Sequence, residues 1–204
     1  MAGPETPDTV GRDYAERLET LEGARWKRLL DVQAPYRWNL RRLGLGFTLD
    51  VGCGIGRNLL HLDRRGVGVD HNVASVEIAR GRGCTAYTAE EFGASPHAAA
   101  AAFDALLVAH VLEHMPFAEA SALLGEYLPY VRQGGQVVLI TPQQAGYRSD
   151  PTHVEYMDFD ALHRLLAEHA LRPERSYSFP FPPFVGRFFP HNEFVVVAGK
   201  PGSA

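Results

Sequence analysis

The chain has 204 residues and a formal net charge of −4, with 46% hydrophobic and 22% charged residues, the balance of one globular domain with a sizeable core. The acidic balance excludes a nucleic-acid partner, which calls for a basic face; no run is long and apolar enough to span a bilayer, and the opening MAGPETPDTV has no charged and apolar regions of a secretion signal. Cys53 and Cys84, the only cysteines, cannot build a disulfide framework, so a cytoplasmic protein is expected.

In chain order, residues 1–10 are small, polar and Pro-containing and read as disordered. Over 11–42, Leu18, Leu21, Leu29 and Leu30 recur at near-helical spacing among charged residues, which predicts a helical cap that Pro35 divides in two. Strands then alternate with helices. Strands are expected at 47–51, 66–70, 84–87, 103–109 and 136–141, the last preceded by Gly134 and Gly135. Helices are expected at 57–63, 74–82, 117–131 and 158–170, and two closing strands at 171–178 and 193–198. This alternation predicts an α/β domain with a parallel sheet covered on both faces. A single domain over 11–200 is expected, with its cofactor-binding core at 47–170 and the closing strands with an aromatic insert at 171–200.

The most informative segment is Thr48-Leu49-Asp50-Val51-Gly52-Cys53-Gly54-Ile55-Gly56. A strand delivers an acid, then a turn with glycine at every second position, then a helix. Glycines allow a sharp turn and a close ligand, and the helix N-terminus offers free N–H groups. The spacing departs from the G-x-G-x-x-G of dinucleotide sites, since the third glycine arrives one residue early and Arg57 stands in its place. Asp50 would repel a pyrophosphate and suits a ligand with an ammonium group. Asp70, at the end of the next strand, can accept hydrogen bonds from ribose hydroxyls.

On these residues the chain resembles the class I S-adenosylmethionine-dependent methyltransferases. Residues 50–56 match the first motif of that family and Asp70 its ribose-binding acid. Phe103 to Ala109 resembles the strand leading to the catalytic pocket, and Gly134-Gly135 with Val137-Val138-Leu139 the next motif. The resemblance covers roughly residues 47–170 and implies a Rossmann-like seven-stranded sheet in the order 3-2-1-4-5-7-6, with strand 7 antiparallel. It implies S-adenosyl-L-methionine as cofactor, held by Asp50, Gly52, Cys53, Gly54, Gly56, Asp70 and His71 and bordered by His110. An adenine-facing acid falls to Glu90 or Glu91, in a segment that also reads as a solvated loop.

Methyl transfer from a sulfonium mainly requires an aligned and desolvated acceptor, and an alcohol must also lose a proton. The string His110-Val111-Leu112-Glu113-His114-Met115 follows the fourth strand. A helical turn there puts His110, Glu113 and His114 on one face, at the sheet edge where ligands bind in such folds. Asp150-Pro151-Thr152-His153 follows the fifth strand in a loop with Tyr147 and Arg148. Glu113, His114 and His153 are the expected catalytic residues.

The arrangement resembles divalent-metal O-methyltransferases with a Glu-x-x-Glu-His pattern and a later His. That resemblance implies a cation such as Mg²⁺ on His110, Glu113, His114 and His153, although His110 replaces the first Glu and removes a hard oxygen ligand. The same Leu-Glu-His string also occurs in methyltransferases without a metal. His61, His97, His163 and His169 read as surface or structural.

Residues 178–191 form a Pro- and Phe-rich insert. It reads either as a substrate wall, with Phe181, Arg187 and His191 joining Tyr147 and Arg148, or as a loop covering the sheet edge, or as a homodimer contact. Segments 51–59, 110–115 and 141–156 resemble actinobacterial sugar O-methyltransferases of the kind that act in methylmannose polysaccharide assembly. That resemblance ranks a sugar hydroxyl first as acceptor. The competing readings are a metal-independent methyltransferase acting on an amine, carboxylate or phenol, and a non-catalytic cofactor-binding protein that docks through its aromatic insert.

Overall fold

Helix α1 (Ala34–Arg42) opens the described part of the chain, residues 31–202 of the computed structural model. Pro35 lies in its first turn, where a missing N–H leaves no bond unmade and the fixed φ suits a helix start. The expected disordered 1–10 and the helical reading of 11–30 fall outside the described residues.

Two β-α units follow: β1 (Thr48–Val51), α2 (Arg57–His61), β2 (Gly66–Asp70), α3 (Val73–Gly81) and β3 (Thr85–Thr88). The second half runs α4 (Ala89–Gly93), β4 (Phe103–Ala109), α5 (Phe117–Tyr127), β5 (Val131–Pro142), α6 (Gln144–Ser149), α7 (Phe159–Glu168), β6 (Arg172–Phe179) and β7 (Glu193–Gly199), with 3₁₀ turns at Leu112–His114, Leu128–Tyr130 and Pro183–Arg187. The strand order is β3-β2-β1-β4-β5-β7-β6. Strands β1 to β5 pair in parallel, and β7 runs antiparallel to both β5 and β6. The expected topology is the observed one.

Period-two alternation splits the buried side chains between two faces. Leu106 and Val108 join Leu49, Leu139, Val196 and the α7 leucines Leu162 and Leu165 on one face. Leu107 and Ala109 join Val138, Val195 and Val197 under the α1 leucine Leu40 on the other.

Three boundaries differ from expectation. Helix α5 stops at Tyr127, because Pro129 turns the chain into a 3₁₀ turn. Gly134 and Gly135 do not precede β5 but lie within it, where the β4–β5 register shifts. Gly134 takes a φ of +69°, and a Cβ on Gly135 would stand 2.7 Å from the Asp104 carbonyl oxygen, so the two glycines build a bulge. Residues 144–149, expected as loop, form α6. Among the described residues no helix is long and apolar enough to cross a membrane.

Candidate active site

The glycine turn leaves β1 with three residues in the left-handed region, Gly52 (φ +74°), Gly54 (+51°) and Gly56 (+82°). Only glycine takes such angles without strain. The turn is fastened to β2, since Gly52 N–H and Cys53 N–H both donate to the Val69 carbonyl, at 2.8 and 3.1 Å. Asp70 closes it from the side: Oδ2 accepts from Gly54 N–H at 2.7 Å and Oδ1 from Asn72 N–H at 2.9 Å. Each oxygen keeps a second lone pair, so the carboxylate is oriented and still able to accept from ribose hydroxyls. His71 Nδ1 stands 3.6 Å from Asp70, half in solvent. The Cys53 thiol turns inward among Leu59, Val76, Ala79, Cys84 and Ala86, which leaves only its backbone on the turn.

Asp50 is 0% exposed, and neither of its oxygens has a hydrogen-bond partner. Burial pushes its pKa up to about 7; the Asn58 amide draws it back, from a geometry short of a hydrogen bond, while Asp70 raises it and Arg57 lowers it. A buried carboxylate without a partner is costly, and an ammonium group on a ligand relieves that cost. The orphaned Asp50, the glycine turn and Asp70 therefore fit S-adenosylmethionine.

At the end of β3, Glu91 completes a capping box with Thr88 and pairs with Arg80 at 2.6 Å. It is committed to the start of α4. Glu90, on the same first turn, is exposed.

The Leu112–His114 turn and the loop after α6 meet through backbone: Val154 N–H and Glu155 N–H both donate to the Glu113 carbonyl, at 2.7 and 3.2 Å. This docking brings Glu113, His114 and His153 together, with one potential ligand atom from each lying within 4.8 Å of the others. The rings of His114 and His153 are 4.8 Å apart. His153 Nδ1 lies 2.7 Å from the Tyr147 carbonyl, which can only accept, so the proton sits on Nδ1. His114 Nδ1 is held in the same way, 3.3 Å from the Thr152 carbonyl and 3.0 Å from the Thr152 hydroxyl, which itself donates to Asp150 at 2.7 Å. In the neutral form each imidazole then has its lone pair on Nε2. Burial lowers the His114 pKa and His153 lowers it further, against Glu113, Thr152 and Asp150, so His114 is neutral near pH 7. Glu113 is 1% exposed with neither carboxylate oxygen hydrogen-bonded.

His110 lies outside this group of three but meets one of its members. Its Nε2 meets Glu193 Oε1 at 2.8 Å and its Nδ1 lies 3.4 Å from Glu113 Oε1. Burial works against the charged form, but the two carboxylates outweigh it and lift the pKa to about 10. Both ring nitrogens of His110 thus face carboxylates, and among the described residues the group that could hold a metal is Glu113, His114 and His153, without it. Glu193 was not expected at the site. Its signal in the sequence is a lone acid heading the apolar run Phe194-Val195-Val196-Val197.

The insert is tied down by Asn192, whose amide donates to Gln143 and Ser178 at 3.0 and 2.9 Å and whose carbonyl oxygen accepts from Phe181 N–H at 2.9 Å. Between the insert and α6 lies a cleft of about 120 Å³ lined by Gln143, Gln144, Tyr156, Pro183, Gly186, Arg187 and Phe194. Tyr147 stacks on His153 at 5.4 Å and meets Tyr156 edge-on at 5.2 Å, which connects the cleft to the histidines. Of the expected acceptor residues, Arg187 lines the cleft and Tyr147 lies one ring away. Phe181 and His191 instead flank Phe189, at 5.5 Å each, and Arg148 is exposed on α6. The structure does not gather all five.

This fold is that of the class I S-adenosylmethionine-dependent methyltransferases. Residues 17–174 match the model of a family described as a methyltransferase domain, and the chain belongs to that family. An S-adenosylmethionine-dependent methyltransferase from Archaeoglobus fulgidus superposes with a TM-score of 0.68 at 19% identity, over 92% of this chain and 99% of that one. Magnesium protoporphyrin IX methyltransferase from Synechocystis, with bound S-adenosylhomocysteine, gives 0.67 at 15% identity over 95% and 97%. A Haloferax volcanii complex of the Trm112 methyltransferase activator with a methyltransferase gives 0.69 at 16% over 94% and 96%. No curated protein matches the chain in sequence.

Proposed function

We propose that this protein transfers the methyl group of S-adenosylmethionine to a hydroxyl of a small acceptor, a sugar first among them. The observation that carries the reading is the cluster of buried Glu113 with half-buried His114 and His153, at the same sheet edge as the glycine turn, with both histidines holding their proton on the nitrogen turned away. The bound donor supplies an electrophilic methyl on sulfur. Asp50 and the 52–56 turn hold its amino-acid end and Asp70 its ribose, while Nε2 of His114 or His153, where no ion occupies it, takes the hydroxyl proton as it is lost. The Tyr156 ring offers an apolar platform for the face of a sugar, and Gln144 and Arg187 offer hydrogen-bond donors beside it.

The same cluster fits a divalent cation. Glu113 brings a buried carboxylate with no hydrogen bond, and Asp150–Thr152 and the Tyr147 carbonyl fix the two imidazoles from behind, as outer partners of metal-bound histidines do. Glu113, His114 and His153 would hold the ion, which would lower the pKa of an acceptor oxygen. One carboxylate with two imidazoles suits Mn²⁺, Co²⁺ or Zn²⁺ better than Mg²⁺, which takes oxygen ligands.

The test is a panel of mannosides, other sugars, phenols, amines and carboxylates with tritiated S-adenosylmethionine, run with EDTA and with added Mn²⁺. Label on a sugar hydroxyl, lost in EDTA and restored by the ion, is the expected result. Label on amines, carboxylates or phenols alone, at full rate in EDTA, contradicts it, as does binding of the donor without turnover on any acceptor.

A further inference from the structure

We propose that Glu193 is a positioning residue of the candidate metal site, acting through His110 on the carboxylate of Glu113. The inference rests on the cation-binding reading above. Glu193 opens β7, in register with Pro142 of β5 and Phe179 of β6, two strands from β4, whose end His110 follows. His110 has a left-handed backbone (φ +59°), secured by its N–H to the Ile140 carbonyl at 2.9 Å, and its ring reaches Glu193 across that gap. A non-glycine residue holds such a φ where surrounding structure imposes it, and such residues cluster at functional sites.

The ring then has an acid on each nitrogen, Glu193 at 2.8 Å and Glu113 at 3.4 Å. The shorter contact fixes the imidazole. The longer one sets where the Glu113 carboxylate lies, since that carboxylate has no hydrogen bond of its own. Two buried acids thus share one imidazole, and the second of them, Glu113, belongs to the group with His114 and His153. A purely structural tie between β4 and β7 needs the Glu193 contact alone and gives no reason for a second, unbonded carboxylate on the far ring nitrogen.

The experiment is a titration of the EDTA-stripped full chain with Co²⁺, followed by its visible absorption, in wild type, Glu193→Gln, His110→Asn and the double variant. Asparagine tolerates the left-handed backbone, so His110→Asn tests the link even if the strand variant does not fold. Each single variant is expected to bind Co²⁺ about 10-fold more weakly, with a shifted absorption band, and Glu193→Gln is expected still to bind S-adenosylhomocysteine. The double variant is expected to be no weaker than the weaker single, as for residues acting along one chain. Wild-type affinity and spectrum in Glu193→Gln, or losses that add, overturn the proposal while leaving the metal reading intact if His114→Ala abolishes uptake. A wild-type protein that takes up no Co²⁺ overturns both.

Discussion

Gly52 and Val111 are packed so closely that a Cβ on the glycine would overlap a Val111 methyl. The glycine turn therefore rests directly on the segment that carries Glu113 and His114. Gly52→Ala is expected to destabilise the protein by about 2–4 kcal/mol, from the left-handed φ together with overpacking, and to weaken S-adenosylhomocysteine binding. Urea unfolding and calorimetry check this; an unchanged midpoint and affinity would show that the two turns are not coupled.

Asp50 gives a pH dependence whose sign is fixed. Its folded pKa, about 7, lies above the ordinary 3.8, so its stabilising contribution is complete below pH 4 and disappears as pH rises through 7. The total is on the order of 4 kcal/mol as an upper bound. Asp50→Asn is expected to flatten the fall in stability of the ligand-free protein between pH 4 and 7. An ammonium ligand favours the carboxylate, so S-adenosylhomocysteine affinity is expected to rise from pH 5.5 to 7 in wild type and to stay low and level in the variant.

His110 gives a separate pH window. Its pKa is raised from 6.5 to about 10 by Glu113 and Glu193 acting against burial. The resulting stability is present in full below pH 6.5 and is lost as pH rises through 10. The difference in unfolding free energy between wild type and His110→Asn should shrink across that interval. A difference that is constant from pH 6.5 to 10 would show that the imidazole is not held charged.

Thr152 accepts from His114 and donates to Asp150. Thr152→Val keeps the shape and removes the hydroxyl, leaving the His114 ring held only by the longer contact to the Thr152 carbonyl. Once an acceptor is in hand, kcat is expected to fall about 10-fold with KM nearly unchanged. A rise in KM at constant kcat would place the hydroxyl in acceptor binding instead.

Much of this was legible in the sequence because it rests on local rules. The 50–56 turn, Asp70 and the apolar run of β4 announce themselves by residue type and spacing, and the strand order followed from the resemblance they support. Gly134-Gly135 was located but misplaced, since a bulge inside a strand and a turn before it ask for the same residue. The Thr88–Glu91 capping box was present in the sequence, yet only the geometry shows Glu91 committed to it and to Arg80. Contacts made across strands were not legible. Nothing local joins His110 to Glu193, which are 83 positions apart. The spacing of His110, Glu113 and His114 implied one helical face, whereas the chain forms a 3₁₀ turn at Leu112–His114, with His110 before it meeting Glu113 alone of the two.

The central claim is that the glycine turn, Asp50 and Asp70 bind a sulfonium nucleoside. Titration calorimetry of the full chain with S-adenosylhomocysteine tests it most directly: saturable one-to-one binding in wild type, lost in Asp70→Ala and reduced in Asp50→Asn, is the expected result. A folded wild-type protein that gives no binding heat with S-adenosylhomocysteine at any of several temperatures, or Asp70→Ala with undiminished affinity, would contradict it.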